Sequence, residues 1–294
     1  MGKLAITGST GFVGKFLLSH LLTLGEDPVV ISRQAVGLID LLRGCDVLVH
    51  LAGRAHVKDE IDTDPLSEYR LANVEVTLHL ARNAVLAGVK RFVFISSIGV
   101  NGVETFGSPF KAEDAAFPHS PYAISKYEAE LGLQTLASQS GMEFVIIRPP
   151  LVYGPNAPGN FGSLIRWLKR GLPLPLGAVK NKRSFVALEN LVDLILVCSK
   201  HPSAANQTFL VSDGEDISTT YLLQRLGATT GKPARLLPVP EKWLAVGAHL
   251  LGKREMFQSL CGSLQVDITK TCTLLDWRPP ISVDEGLNRV FQRL

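Results

Sequence analysis

Nine residues, Ile6-Thr7-Gly8-Ser9-Thr10-Gly11-Phe12-Val13-Gly14, constrain this chain more than any other stretch. They join an apolar, strand-like run at Leu4–Thr7 to an apolar helical run at Gly14–Leu24. Glycines spaced G-x-x-G-x-x-G let a strand turn sharply into a helix and bring bare backbone N–H groups against a pyrophosphate. Such triplets also arise by chance at turns, so the pattern needs partners. Tyr122-Ala123-Ile124-Ser125-Lys126 and the upstream Ser96-Ser97 supply them. A cofactor cradle followed by redox-capable side chains predicts hydride transfer to or from a nicotinamide.

The first half alternates short apolar strands with helices, the pattern of a parallel sheet covered on both faces. Strands are predicted at Leu4–Thr7, Val29–Ser32, Val47–Leu51, Phe92–Ser96 and Phe144–Arg148, and helices at Gly14–Leu24, Tyr69–Ala87 and Tyr122–Ser140. From Pro149 onward prolines and glycines thicken, as in loops that build a pocket on a rigid scaffold. Gln207–Val211 reads as a strand returning to the sheet, and helices and turns follow from Ser218, with Trp277-Arg278-Pro279-Pro280 closing a helix. The expected fold class is α/β: a doubly wound parallel sheet with a smaller, interleaved C-terminal substrate domain. Residues 1–152 with about 184–213 form the dinucleotide-binding part, and about 153–183 with 214–294 form the substrate part.

A chain of 294 residues, 46% hydrophobic, is long enough for a large core. Its net charge of +3, with no basic cluster interleaved with aromatics, argues against nucleic acid as a partner. Cys45, Cys198, Cys261 and Cys272 lack C-x-x-C spacing and read as reduced cytosolic residues. No metal-ligand spacing occurs among the histidines. No apolar run approaches the ~20 residues that span a bilayer, and the chain opens on a strand without room for a signal peptide, so membrane insertion is not expected and a cytoplasmic location is. Trp243–Gly252 is apolar enough to suggest an interfacial anchor, but its shortness and His249 favour a core or dimer-face helix.

Tyr122 and Lys126 lie one helical turn apart, so both side chains emerge on the same face. An ammonium there favours the phenolate and is expected to lower the tyrosine from its ordinary ~10, making Tyr122 an acid/base for alcohol–ketone interconversion. Ser97, at a strand end, is placed to hold the same oxygen.

These segments also carry a resemblance. The sequence is similar to extended short-chain dehydrogenase/reductases of the NAD-dependent epimerase/dehydratase group. The matching stretches are T-G-S-T-G-F-V-G at 7–14, H-L-A-G at 50–53, N-V-E-V-T at 73–77, F-V-F-I-S-S at 92–97 and P-Y-A-I-S-K at 121–126. R-P-P-L-V-Y-G-P at 148–155, R-S-F-V at 183–186 and D-W-R-P at 276–279 continue it in the family's order. Within the group it most resembles nucleotide-sugar 4-ketoreductases and 4-epimerases of bacterial surface-polysaccharide synthesis, particularly those handling 4-keto-6-deoxy-N-acetylhexosamines.

The resemblance implies roles by position. Gly8, Gly11, Phe12, Val13 and Gly14 would meet the cofactor pyrophosphate, and Leu51 and Ala52 would pack on the cofactor. Tyr122 would be the acid/base, Lys126 would hold the nicotinamide ribose, and Ser97 would bind the sugar C4 oxygen. Asn73 would brace the active-site helix or a water beside Lys126, or act only as a helix-cap amide. Arg183 would grip the sugar-nucleotide diphosphate, or lie exposed in the basic run Lys180-Asn181-Lys182-Arg183. Asn160 would be a further diphosphate contact. Leu176, within Pro173–Gly177, would frame the nucleobase or belong to a proline-stiffened turn. A homodimer through long helices, including Tyr122–Ser140, is implied as well.

Four departures qualify the match. The second strand ends in Ser32-Arg33 instead of the acidic residue that bonds a ribose 2′-hydroxyl. That favours NADP(H), with NAD(H) the alternative if Arg33 merely faces solvent. Only Arg33–Asp46 links this strand to the one before His50, enough for one short crossover helix at Gly37–Gly44, so the sheet is expected to lack the usual third, edge strand. The usual V-Y-G after the serine is Val100-Asn101-Gly102. No late arginine joins the diphosphate clamp near Phe257–Leu260, where Lys253 and Arg254 are the candidate substitutes. The leading expectation is an NADP(H)-dependent reductase of a UDP-linked 4-keto sugar. A nucleotide-sugar 4-epimerase and a non-catalytic dinucleotide sensor are the alternatives.

Overall fold

The computed structural model describes residues 2–54, 64–229 and 233–292. The chain begins with β1 (Leu4–Thr7), α1 (Phe12–Thr23), β2 (Val29–Ile31), α2 (Leu38–Leu42) and β3 (Val47–His50). A long helical arm follows: α3 (Pro65–Tyr69), a π-helical turn (Arg70–Glu75) and α4 (Val76–Ala87). Next come β4 (Arg91–Ile95), α5 (Pro121–Ser140), β5 (Glu143–Arg148), β6 (Leu151–Tyr153) and α6 (Gly159–Lys169). The remainder is β7 (Arg183–Ala187), α7 (Leu188–Lys200), β8 (Gln207–Leu210), β9 (Asp216–Ile217), α8 (Thr219–Thr229), α9 (Glu241–Leu250), α10 (Arg254–Cys261), α11 (Thr269–Leu275) and α12 (Val283–Gln292).

Six strands form one parallel sheet in the order β2-β1-β3-β4-β5-β8. Alternate residues of each strand feed opposite faces, as the pleat requires. Phe92 and Phe94 pack with Leu42, Leu80 and Leu133 under α2, α4 and α5, while Val93 packs with Leu17, Leu21 and Leu194 under α1 and α7. Burial on both faces explains why the strands read as continuous apolar runs. Each fully buried Phe contributes about 1.5–3 kcal/mol of transfer free energy.

The doubly wound sheet is as the sequence led us to expect, including its shortened flank. β2 is an edge strand, and the crossover to β3 is only the short α2, entered through Gly37 at φ +70°. A second, three-stranded sheet, β6-β7-β9, is covered by α6, α8 and α12 around Tyr153, Phe161, Phe185, Leu222 and Leu287. The arm helix differs from the sequence reading, which began it at Tyr69. It starts at Pro65, because the Asp64 side chain accepts from Leu66 N at 3.1 Å and proline suits the first helical position.

The chain leaves β1 toward β2 on one side and toward β3 on the other, so the strand order reverses between β1 and β3. Parallel sheets open a crevice at such a switch point, beyond the carboxyl ends of the strands. Thr7 and His50 are register partners at that end. Every predicted catalytic residue sits above this edge.

Candidate active site

The glycine turn has the shape its spacing demanded. Gly8 adopts φ +71°, and a Cβ there would stand 2.6 Å from Ala52 N. A Cβ on Gly14 would overlap the Gly8 carbonyl oxygen, and one on Gly11 would lie 3.2 Å from it. The first turn of α1 has no side-chain cap, since Gly11 stands at its N-cap. Its free N–H groups and the positive helix end form an anion seat that any larger residue would fill. Phe12 then packs toward the second core, while Val13 and Leu51, the latter just beyond β3, pack toward the first. The residues present therefore fit a dinucleotide.

Helix α5 positions the reacting groups. Ser120 Oγ accepts from Ala123 N at 3.1 Å and Pro121 occupies the first turn, fixing where the helix starts. Tyr122 is thereby in the first turn and half-buried, with its ring edge-on to Tyr69 at 5.9 Å. Lys126, one turn later, is buried; its Nζ donates to the Ile95 carbonyl at 2.9 Å and lies 4.5 Å from the centre of the Phe94 ring. Ser97 lies two residues beyond β4, and its Oγ accepts from Gly99 N at 3.1 Å. The Cβ position of Gly99 lies 3.4 Å from Ser97 Oγ and 3.3 Å from Ala123 Cβ, so the serine abuts the first turn of α5. Strand tip and helix start thus bring Ser97, Tyr122 and Lys126 to one corner of the crevice.

Charge in this corner departs from expectation. Burial pushes the Tyr122 phenol up to about 12, with Tyr69 adding to the rise, instead of the lysine drawing it down. Lys126 turns its ammonium to the Ile95 carbonyl, and desolvation dominates for both groups. The lysine itself is lowered to about 8 by burial, against the opposing pull of Glu130.

Asn73 does brace this helix. Its Nδ2 donates to Ser125 Oγ at 3.0 Å and to the Arg54 carbonyl at 3.2 Å, and its Oδ1 accepts from Arg54 N at 2.8 Å. It lies in the π-helical turn, so a side chain facing the site emerges from an otherwise regular arm. Its role as a mere cap amide is set aside.

Sequence reading missed three supports. Gly53 is one: a Cβ there would come within 3.2 Å of Lys126 Nζ and 3.4 Å of Asn73 Oδ1, so a larger residue would press on the lysine. His50 is another, fully buried with Nδ1 2.6 Å from Thr7 Oγ1 and Nε2 2.9 Å from Thr77 Oγ1. Thr77 spends its only hydroxyl proton on the Asn73 carbonyl at 2.6 Å, so we assign the histidine proton to Nε2, and Thr7 donates to Nδ1. Burial, then the charge on Lys126, lowers this imidazole to about 3 and keeps it neutral. The third is the ion pair Glu130–Arg148, buried and closed at 2.6 Å, with Ser96 Oγ donating to Glu130 Oε1. Arg148 also donates to Asn101 Oδ1 at 2.9 Å, which gives the unexpected asparagine of Val100-Asn101-Gly102 a structural purpose. The H-L-A-G, N-V-E-V-T and R-P-P motifs had flagged these places without revealing their bonds.

Several predicted contacts sit farther afield. Arg183 is a buried residue of β7, not part of an exposed loop; its Nη1 donates to the Gly262 carbonyl at 2.8 Å. Leu176 is buried in the second core, and its carbonyl accepts from Thr220 Oγ1 at 2.6 Å. Its side chain packs inward. Asn160 is in the first turn of α6, and its side chain is outside the described residues. Ser32 and Arg33 are exposed just beyond β2, and Arg33 has no side-chain partner among the described residues. Lys253 and Arg254 are exposed at the corner between α9 and α10.

A doubly wound sheet, a glycine cradle at its switch point and a Ser–Tyr–Lys corner define an enzyme that works with a nicotinamide dinucleotide. Residues 4–212 match the family described as NAD dependent epimerase/dehydratase, and the chain belongs to that family. It is 46% identical over 311 aligned residues to a UDP-glucose 4-epimerase of Vibrio cholerae, covering 99% of this chain and 94% of that one. It is 27% identical to an Escherichia coli O157:H7 N-acetyl-alpha-D-glucosaminyl-diphospho-ditrans,octacis-undecaprenol 4-epimerase, over 88% of this chain and 81% of the relative. Among solved structures it resembles MoeE5 in complex with UDP-glucose and NAD, with a TM-score of 0.78 and 22% identity over 98% of this chain and 97% of that one. That last likeness concerns the fold.

Proposed function

We propose that the protein is a 4-epimerase of a UDP-linked hexose, using bound NAD. The 46% identity to the Vibrio cholerae UDP-glucose 4-epimerase across nearly the full length carries this reading. The Ser97–Tyr122–Lys126 corner supplies groups suited to the chemistry. NAD, when bound, offers a hydride acceptor that can also return the hydride. Gly8, Gly11 and Gly14 seat the pyrophosphate, and Lys126 holds the nicotinamide ribose. With its phenol held up to about 12, Tyr122 would give its proton to the C4 oxygen as the ketone is reduced, and would take the proton of the 4-hydroxyl only as a phenolate, having first released its own proton to solvent. Ser97 would hydrogen-bond the same oxygen, and oxidation and reduction would differ in which face of C4 is presented to the cofactor. Electrons and protons balance within one turnover.

The substrate side is assigned to residues 153–183 and 214–294, with Arg183 and Asn160 toward the diphosphate. A homodimer through α4 and α5 fits the exposure of Leu86 and Leu131 on those helices. A cytoplasmic setting fits four free cysteines. A second reading, reduction of a 4-keto sugar nucleotide by NADPH, is favoured by one observation: exposed Ser32 and Arg33 stand where an acidic residue would exclude a 2′-phosphate. Incubating the enzyme with UDP-glucose and resolving the product sugar tests the choice. The epimerase forms UDP-galactose with no net change in nicotinamide absorbance. Stoichiometric NADPH consumption with a 4-keto substrate, and no epimer, would instead establish the reductase.

A further inference from the structure

Helix α9 is the least satisfied element of the fold. None of its residues is buried, which overturns the core reading of Trp243–Gly252. Leu244 touches the second core, and the other side of the helix is bare. Trp243, Val246 and Leu250, spaced along one helical face, are 69%, 53% and 79% exposed, and Leu251 adds 72% at the end. Cationic side chains flank this stripe: Lys242 beside the tryptophan, and Lys253 and Arg254 just past the Gly252 turn, all exposed. Of the neighbouring acids, Glu241 accepts from Lys180 N at 3.2 Å, and Glu255 begins α10.

We propose that α9 and the turn after it dock the enzyme reversibly on an anionic lipid surface. Tryptophan and leucine on one face with lysine and arginine at the margins suit the headgroup–acyl boundary, where indole meets both apolar and wet surroundings. The cations complement anionic headgroups, whereas a protein partner would have to cover them. Four apolar side chains on one short helix also fall short of the ~800 Å² per partner that a stable dimer buries. Among the described residues no helix is long and apolar enough to cross a membrane, so contact would be peripheral. This docking is independent of which sugar the site turns over.

Co-sedimentation of the full chain with phosphatidylglycerol–phosphatidylcholine vesicles, against phosphatidylcholine alone, tests it. Selective binding to the anionic vesicles that weakens as salt rises is expected, with about a tenfold loss in Trp243→Ser/Leu250→Ser. That variant should keep its melting temperature and its turnover of soluble UDP-sugar, which separates a failure here from a failure of the epimerase reading. Absence of vesicle binding by the unmodified chain would overturn the proposal. So would undiminished binding by the variant, or a variant that loses a dimer rather than a lipid contact.

Discussion

His50 handles no substrate in this account, yet it holds the crevice together. It joins Thr7, at the end of the first strand, to Thr77, whose hydroxyl grips the Asn73 carbonyl. Because burial lowers it from 6.5 to about 3, the folded state resists its protonation while the unfolded chain accepts a proton below 6.5. The unfolded state therefore binds more protons between those values. The contribution of neutral His50 is complete above pH 6.5 and declines as pH falls toward 3, at up to about 1.4 kcal/mol per pH unit. Urea unfolding from pH 7 to pH 4 should show a steeper stability loss in the parent than in His50→Gln. Parallel slopes would mean the imidazole is not held neutral. The histidine was visible in H-L-A-G, but its two threonine partners lie 43 and 27 positions away in sequence and only the fold brings them together.

Helix α5 answers to two demands, presenting Tyr122 and Lys126 to the crevice and burying Glu130 against Arg148 of β5. Removing one partner of a buried pair strands the other charge, so Glu130→Ala should cost about 3–5 kcal/mol by chemical denaturation. Replacing both, as Glu130→Leu/Arg148→Met, should cost less, because no charge is left unpaired. A single substitution no worse than the double would show the pair to be solvated. In the glycine turn, Gly14→Ala drives a methyl group into the Gly8 carbonyl. Loss of co-purifying dinucleotide, measured after acid release, together with a lowered melting temperature, is the expected result. The cradle was legible because it follows from a local rule, glycine conformation; the Ser120 cap of α5 obeys a local rule too, but the sequence reading began that helix at Tyr122 without it. The short crossover was legible by counting, since Arg33–Asp46 has room for only one brief helix. The π-helical turn was not, because its extra residue leaves the apolar rhythm of the arm nearly intact while redirecting Asn73 toward Ser125.

Taken as one body, the fold places a nucleotide seat and a reacting corner along the same carboxyl edge, with the small sheet and its helices beside them. That the large sheet is parallel followed from alternating strands and helices. The assignments that changed concern residues whose surroundings are assembled late in the chain. Arg183, expected either on the diphosphate or in an exposed basic run, is buried: β6 and β9 flank its strand and Gly262 accepts from its Nη1, so the exposed alternative falls. Leu176, read as a nucleobase frame or as part of a proline-stiffened turn, is buried in the second core, with its carbonyl accepting from Thr220 of α8. Sequence period says which face of an element is apolar; it does not say which distant segment will cover that face. The proposed reaction depends on one phenol. Steady-state turnover of UDP-glucose by Tyr122→Phe, with bound dinucleotide quantified in the same preparation, probes that dependence. Retained cofactor and a fall in kcat of about 10²–10⁴-fold, the usual worth of a positioned acid/base, are expected. Turnover matching the parent enzyme would contradict that dependence.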